Sequence, residues 1–362
     1  MWRLLRPDTI GALEDPLVKK VLPRYVKVVK DELPAKFQIA KKIEVDFDEK
    51  SSIEKLWALH SDGMKEFYRI QDNLDGGEAS LEELSIAKSS LFDLKITLTK
   101  KIIQSCELCE RKCHVNRIKG EEGFCKVGNQ YRISSEFIHM GEEPHISPSH
   151  TIFFMGCTMS CQFCQNWTIS HWYEDGYSVP KQQLVKIIDE RRNEGARNLN
   201  LVGGEPTPNL AYILDVLKSC KTNIPVVWNS NFYMSEKTMQ ILDGMVDMHL
   251  SDFKYGNNDC GLKLSKTPNY YDVCLRNHRI AAKTTEITLR HLILPNHVDC
   301  CTKPVLEWIE KNIRDKCLVN IMNQYRPEFN AKNYPEIYRR ITMGEFNATV
   351  NYARKLNINF IT

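Results

Sequence analysis

The sequence predicts an α/β protein whose parallel sheet curves into a partial barrel of six β/α units, preceded by a helical, cysteine-containing N-terminal region. From Thr151 onward, short apolar runs alternate with amphipathic stretches, which is the pattern of β-α units. Polar motifs follow five of the runs, at the strand ends where parallel barrels place their active sites. The six runs are TIFFM (151–155), NLNLV (198–202), PVVW (225–228), MHLS (248–251), EITLRHLIL (286–294) and CLVNIM (317–322).

Three parts follow from this pattern: a helical segment over 1–105, a four-cysteine module over 106–150 and the barrel over 151–362. In the first part, Ser80 and Glu83 predict a capping box. Helical spacing is expected to continue from there through Leu81, Leu84, Leu91, Leu94, Leu98 and Ile102. Within the barrel, one helix is predicted to begin at Pro180 and to end near Gly195, a good capping residue.

Composition and charge narrow the class of partner. The 362 residues carry 49 Lys and Arg against 46 Asp and Glu, so the net charge of +3 gives no reason to expect nucleic acid. The sequence lacks an apolar stretch of ~18 residues and an N-terminal signal pattern, so we predict a cytoplasmic protein without a membrane partner. In such a compartment, clustered cysteines are more often metal ligands than disulfides.

The stretch GCTMSCQFCQNW places Cys157, Cys161 and Cys164 directly after the first strand. A structural zinc site takes four ligands in a closed tetrahedron, and this trio has no fourth partner nearby. Three thiolates on a 4Fe-4S cluster leave one iron without a protein ligand. The spacing therefore favours an open iron-sulfur cluster over a structural zinc ion.

Together with the GGEP stretch after the second strand, this trio resembles the motifs of the radical S-adenosylmethionine (SAM) superfamily. Within it, the sequence is similar to pyruvate formate-lyase activating enzyme-like proteins in the stretches CELCERKCHVNRIKGEEGFC, HMGEEPHIS, VWNSNFY, LSDFKY, LRHLILP and QYRP. The resemblance implies that the free iron is chelated by SAM. It also implies a reductive cleavage to a 5′-deoxyadenosyl radical, which abstracts a hydrogen atom. Ser149, His150 and Glu110 depart from the usual pattern and leave the cofactor motifs intact.

The cofactor-binding residues are expected at the strand ends. The resemblance implies that Gly203, Gly204, Glu205 and Pro206 hold the methionine ammonium group. A backbone without Cβ can turn sharply and approach a ligand, and a carboxylate pairs with a cation. The remaining candidates are Asn229, Ser230 and Asn231 for a ribose or carboxylate, Asp252 and Lys254 for the cofactor or for a mutual ion pair, and Arg290, which needs an acidic partner such as the cofactor carboxylate.

A second group of thiols consists of Cys106, Cys109, Cys113 and Cys125. Four thiolates suit zinc or an auxiliary iron-sulfur cluster, and four unmetallated thiols are the third alternative. His114 could replace one of these ligands. The other cysteines are expected to be packing residues: Cys220, Cys260, Cys274, Cys300, Cys301 and Cys317. Gln324, Tyr325 and Arg326 could line the open end of the barrel or close it by packing.

The sequence thus predicts a radical SAM oxidoreductase, with activation of a glycyl-radical enzyme as one version. Its expected partners are a one-electron donor such as flavodoxin or ferredoxin, and a protein substrate. Modification of another peptide or of a small molecule stays open. A hypothesis from a different class is a non-catalytic zinc-binding interaction protein in which both cysteine groups are structural. Metal content separates the two classes.

Overall fold

The structure is a computed structural model that describes residues 6–362, and it contains one eight-stranded sheet. The strands lie in the sheet in chain order, β1 pairs with β2 antiparallel, and every later pair is parallel. Since β1 and β8 are the two edges, the sheet is an open, partial barrel. The strands are β1 Ile133–His139, β2 Ser149–Phe154, β3 Leu199–Gly203, β4 Val226–Ser230, β5 Met248–Asp252, β6 Glu286–Leu292, β7 Cys317–Met322 and β8 Phe360–Ile361.

The predicted fold class is confirmed. Each of the six apolar runs forms one of the strands β2–β7, because these strands are covered on both faces and tolerate few polar side chains. Two edge strands were not predicted. β1 lies within the cysteine-containing 106–150 segment, and it adds an antiparallel edge to β2. β8 is only two residues long, too short for a periodicity signal.

Helices fill the N-terminal region and the crossovers between parallel strands. None of the helices within residues 6–362 is long and apolar enough to cross a membrane. Those before the sheet are α1 Pro16–Val21, α2 Pro23–Val29, α3 Lys36–Ala40, α4 Ile53–Asp75 and α5 Leu91–Ile102. Those after β2 are α6 Trp167–Ser170, α7 Lys181–Asn193, α8 Leu210–Ser219, α9 Glu236–Leu242, α10 Asn258–Ser265, α11 Tyr270–Thr284, α12 Lys303–Asn312 and α13 Met343–Lys355.

The helix predicted to start at Ser80 is wrong at its beginning. The backbone N–H of Ser80 does bond to the Glu83 carboxylate at 2.9 Å, yet the next residues form turns. The complete capping box is at Ser90 and Asp93, where α5 begins. An extended segment precedes it because Ser89 and Leu91 exchange backbone hydrogen bonds with the segment 43–45. By contrast, α7 matches the helix predicted from Pro180, with Pro180 as its capping residue.

The N-terminal helices pack into the amino-terminal end of the barrel. Tyr25 on α2 is fully buried in a cluster with Val227, Met248 and Leu318 from β4, β5 and β7. The Glu286 carboxylate at the start of β6 accepts hydrogen bonds from the first backbone N–H groups of α2, both at 2.7 Å. These contacts close the end of the sheet opposite the strand ends that carry the polar motifs.

Candidate active site

The carboxyl ends of the parallel strands surround one cavity of about 220 Å³. Its floor is the loop after β2, and its walls are the ends of β3, β4, β5 and β6. Of the predicted SAM-binding residues and the cysteine trio, only Pro206 lies outside the lining. Its carbonyl accepts a hydrogen bond from the Asn209 backbone N–H. The others line the cavity together: Cys157, Cys161, Cys164, Gly203, Gly204, Glu205, Asn229, Ser230, Asn231, Asp252, Lys254 and Arg290.

Each thiol of the trio has a polar neighbour. The Cys157 Sγ lies 3.6 Å from the Nδ2 of Asn231 and 3.4 Å from the backbone N of Met159. The Ser265 hydroxyl donates to the Cys161 Sγ at 3.0 Å. The Cys164 Sγ lies 3.6 Å from the Ser170 Oγ. Such donors stabilise thiolate ligands and tune a bound cluster.

Burial raises the pKa of all three thiols, to about 11 for Cys164. A buried thiolate needs a positive partner, and Lys254 opposes the rise at Cys161. Burial thus favours the neutral thiols in this cavity, and further positive charge beside Lys254 would favour the thiolates. A cationic iron-sulfur core meets that need, which is a direct fit between the site and the predicted cluster.

The glycines at this site are required by close backbone packing. A Cβ on Gly203, whose φ is +135°, would lie 2.1 Å from the Phe154 carbonyl oxygen. A Cβ on Gly204 would lie 2.3 Å from the carbonyl oxygen of Gly156. The close approach expected of this pair is thus made to the end of β2 and to the cluster loop. The glycines set the distance between Glu205 and the cysteines.

Glu205 is buried and held by four hydrogen-bond donors. Its Oε1 accepts from the hydroxyls of Thr207 at 2.6 Å and Ser230 at 2.7 Å, and from the Thr207 backbone N at 3.3 Å. Its Oε2 accepts from the Asn231 backbone N at 2.9 Å. Burial raises the pKa of this carboxyl, and the hydrogen bonds oppose the rise. The ends of β3 and β4 thereby fix one acidic group in the cavity wall.

Asp252 and Lys254 form an ion pair at the end of β5, with 2.5 Å between Oδ2 and Nζ. Burial alone would lower the pKa of Lys254, but Asp252 and Cys161 outweigh it and the pKa is raised. The lysine stays charged in the cavity. Both predicted roles are therefore compatible, because the pair is formed and also lines the site.

Arg290 has two protein partners that were not predicted. Its guanidinium donates to both carboxylate oxygens of Glu143, at 2.7 and 2.6 Å, and also contacts Glu142. Both glutamates are buried, and they are further held by Asn200 and Asn320. The position of Arg290 within a strand predicted an acidic partner. The GEEP stretch contains two glutamates, but their position beside β6 depends on tertiary packing.

Several other lining residues carried no sequence signal of their own. They are Met159, Phe163, Gln165, Asn166, Ser170, His171, Val202, Leu292 and Met322. His171 stacks on Phe329, with 4.8 Å between ring centroids. Leu292 and Met322 are the last residues of β6 and β7, so a systematic count of strand ends could have found them.

The four-cysteine group lines a second, smaller cavity directly behind the first. Cys106, Cys109, Cys113 and Cys125 surround it together with Arg117, whose Nη2 lies 3.2 Å from the Cys125 Sγ. Its wall also includes Thr158, the neighbour of Cys157, and Thr207, which bonds Glu205. His114 instead lies near Ser105 and Glu107.

The remaining cysteines divide into two kinds. Cys220, Cys274 and Cys317 are buried in the core, as expected of packing residues. Cys301 is buried there as well, and the half-buried Cys260 packs against the same core. The expectation is wrong for Cys300, which is exposed and lies with Cys260 beside His297, where the loops after β5 and β6 meet.

The QYRP residues differ in their roles. Tyr325 is buried, donates to the Ile337 carbonyl at 2.8 Å and packs edge-on against Phe163, so it closes the barrel by packing. Arg326 pairs with Glu328 at 3.3 Å near the surface. Gln324 lines a neighbouring surface cavity together with Glu142, Glu143 and Arg290, and Arg290 also lines the main cavity.

Comparison with known proteins agrees with this geometry. The sequence family described as the radical SAM superfamily matches residues 151–309, a range that includes the cysteine trio. An uncharacterized protein of Methanocaldococcus jannaschii is 44% identical over 346 residues, covering 94% of this chain and 99% of that protein. The chain belongs to the radical SAM superfamily. Radical SAM proteins use a 4Fe-4S cluster and SAM, and the cavity residues of this radical SAM protein fit both.

Two more distant similarities cover part of the chain. The pyruvate formate-lyase-activating enzyme of Listeria monocytogenes is 25% identical over 159 residues, which cover 41% of this chain and 63% of that enzyme. The structure of Streptococcus suis SuiB bound to the precursor peptide SuiA covers 57% of this chain and 46% of SuiB, at 15% identity and a TM-score of 0.41.

Proposed function

We propose that this radical SAM enzyme reductively cleaves SAM in the cavity at the carboxyl ends of β2–β6 and uses the product to abstract a hydrogen atom. The observation that carries the proposal is the convergence of the three thiols, Glu205 and the Asp252–Lys254 pair on one cavity. When bound, the cluster supplies one electron and SAM supplies the 5′-deoxyadenosyl group. A flavodoxin or ferredoxin would provide that electron.

The protein residues bind and orient these groups. Cys157, Cys161 and Cys164 would hold three irons, and their spacing leaves the fourth for SAM. Glu205 is placed to pair with the methionine ammonium, since its buried carboxylate lines the cavity and is held there by donors at the ends of β3 and β4. Asn229, Ser230 and Asn231 supply polar groups for the ribose or carboxylate, and Lys254 adds a positive charge. Arg290 lines the same cavity, where it is held by its ion pairs with Glu142 and Glu143.

Metal analysis tests the proposal first. Protein purified anaerobically should contain about four irons and four sulfides per cavity, and the variant with Cys157, Cys161 and Cys164 all changed to Ala should lose them. Cys220→Ala is the matched control, because that thiol is buried and does not line the cavity. With dithionite and SAM, only the proteins that keep these four irons should form 5′-deoxyadenosine. Zinc without iron in wild type would overturn the proposal.

As the substrate of this hydrogen-atom abstraction we propose a glycyl-radical enzyme, which the protein would activate. The similarity to the Listeria enzyme supports this version. A glycyl-radical enzyme from the same genome should develop a glycine-centred electron paramagnetic resonance signal when mixed with this protein, SAM and reductant. Formation of 5′-deoxyadenosine without that signal would reject this version and direct the search to another peptide or a small molecule.

The four thiols behind the cavity are proposed to hold zinc or an auxiliary iron-sulfur cluster. Their convergence on one buried space supports a metal over four free thiols. The same metal analysis on Cys109→Ser and Cys113→Ser decides between the two alternatives. Both variants should lose zinc if the site holds zinc, and both should lose iron if it holds an iron-sulfur cluster.

A further inference from the structure

A separate group of metal-binding side chains lies where the loops after β5 and β6 meet. Within residues 6–362, Cys260, His297 and Cys300 form the one set of three such residues whose ligand atoms all lie within 4.8 Å of one another. Cys260 is in the first turn of α10, whereas His297 and Cys300 lie in the segment before α12. None of the three lines the cavity described above.

The donor set is typical of zinc. Thiolate and neutral imidazole are the preferred zinc ligands, and mixed cysteine-histidine sets are common in structural sites. The His297 Nδ1 lies 2.7 Å from the Pro295 carbonyl oxygen, so this nitrogen donates its hydrogen there. The Nε2 then keeps its lone pair, and the His297 side chain is hydrogen-bonded to Cys260. A carbonyl that accepts from the other ring nitrogen fixes the ring and tautomer of zinc-bound histidines.

The Asn257 side chain and close packing at Gly256 hold the two ligand-bearing loops together. Asn257 joins the two loops: its Oδ1 accepts from the Cys260 N and its Nδ2 donates to the Cys300 carbonyl, both at 2.8 Å. Gly256 allows them to pack closely, since a Cβ there would lie 2.6 Å from the Cys301 carbonyl oxygen. A preformed arrangement lowers the ordering cost of binding.

A fourth thiol stands next to the set. The Cys301 Sγ lies 3.9 Å from the Cys300 Sγ, and Cys301 is almost completely buried. It stands outside the set of three whose ligand atoms all lie within 4.8 Å of one another. We propose that Cys260, His297 and Cys300 bind one zinc ion.

The site has a structural consequence for the active site. α10 begins beside Cys260 and ends at Ser265. The carbonyls of Leu264 and Ser265 accept from the backbone N–H groups of Gln162 and Ser160 in the cluster loop, at 2.8 and 2.9 Å. Zinc at the start of α10 would therefore anchor the helix whose far end supports the cysteine trio.

Elemental analysis of single variants tests this proposal independently of the enzymatic reaction. Cys300→Ser is the main variant, because Cys300 is exposed and its change should leave the fold intact. His297→Gln is the second. After incubation with zinc and removal of the excess, each should hold one zinc fewer per chain than wild type, while Cys220→Ser matches wild type. Iron content should be the same in all four proteins.

Cobalt provides a spectroscopic readout that a merely misfolded variant would not mimic. In the cluster-free background with Cys157, Cys161 and Cys164 changed to Ala, added Co²⁺ should give the visible bands of a tetrahedral thiolate site. Adding Cys300→Ser should remove one equivalent of that absorption with the circular dichroism unchanged. Equal zinc and cobalt binding in wild type and Cys300→Ser would overturn the proposal, as would loss of iron in place of zinc.

Discussion

At the scale of single residues, the site depends on buried charges held by short polar groups. Glu205 is surrounded by donors from Thr207, Ser230 and Asn231, which fix its carboxylate before any ligand binds. Its burial raises its pKa, so the ionised carboxylate is stabilised further when a cation pairs with it. Affinity for a cationic ligand should therefore depend strongly on this one charge.

Changing Glu205→Gln should weaken SAM binding by about tenfold or more, because a charge-assisted hydrogen bond is replaced by a neutral one. Anaerobic equilibrium dialysis with labelled SAM measures the dissociation constant. Iron content should stay at the wild-type value, since Glu205 does not contact a cysteine side chain by hydrogen bond. The matched control is Glu136→Gln, a carboxylate outside the cavity. Equal SAM affinity in wild type and Glu205→Gln would refute the assignment.

At the scale of elements, a charged group joins β1 and β2 to α7. His150 is buried on β2, and its Nε2 lies 3.0 Å from the Glu136 Oε2 on β1. Arg191 on α7 donates to both oxygens of the same carboxylate, at 3.1 and 2.9 Å. His150 and Arg191 thus hold the antiparallel edge strand through the same carboxylate.

The His150 and Arg191 side chains lower the pKa of Glu136 to about 2. An unfolded Glu has a pKa of about 4.3, so the interaction stabilises the fold fully above that pH and is lost as the pH falls towards 2. Glu136→Gln should cost roughly 1–2 kcal/mol at pH 7 and about half as much near pH 3. Urea unfolding in the cluster-free background measures both values. A difference that is constant with pH would contradict this account.

At the scale of the whole molecule, the N-terminal helices and the barrel form one packed body. Tyr25 enters the barrel end, and its hydroxyl accepts from the Asn198 Nδ2 at 2.9 Å. Arg24 pairs with Asp247 just before β5. The N-terminal region therefore stabilises the strands whose opposite ends carry the active site.

Tyr25→Ala should lower the free energy of unfolding by about 3–5 kcal/mol, because a large buried ring is replaced by a cavity. Tyr25→Phe keeps the ring and should cost about 1 kcal/mol for the lost hydrogen bond. Denaturant midpoints of the two variants and wild type give the comparison. An unchanged midpoint in Tyr25→Ala would show that the N-terminal helices do not support the barrel.

The sequence alone determined the six parallel strands, the strand-end location of the site and the chemistry of the cysteine trio. These features are local: an apolar run specifies a buried strand, and the spacing of Cys157, Cys161 and Cys164 within one loop already restricts what they can bind. For the same reason, α7 was predicted nearly to its boundaries.

Only the tertiary structure decided which distant residues meet. Arg290 found Glu143, which lies 147 positions earlier, and Cys260 met His297 across two loops. The start of α5 was decided by backbone hydrogen bonds between the segment 43–45 and Ser89 and Leu91, which local propensity does not contain. These contacts depend on how packed elements are placed relative to one another, and residue spacing along the chain does not encode that placement.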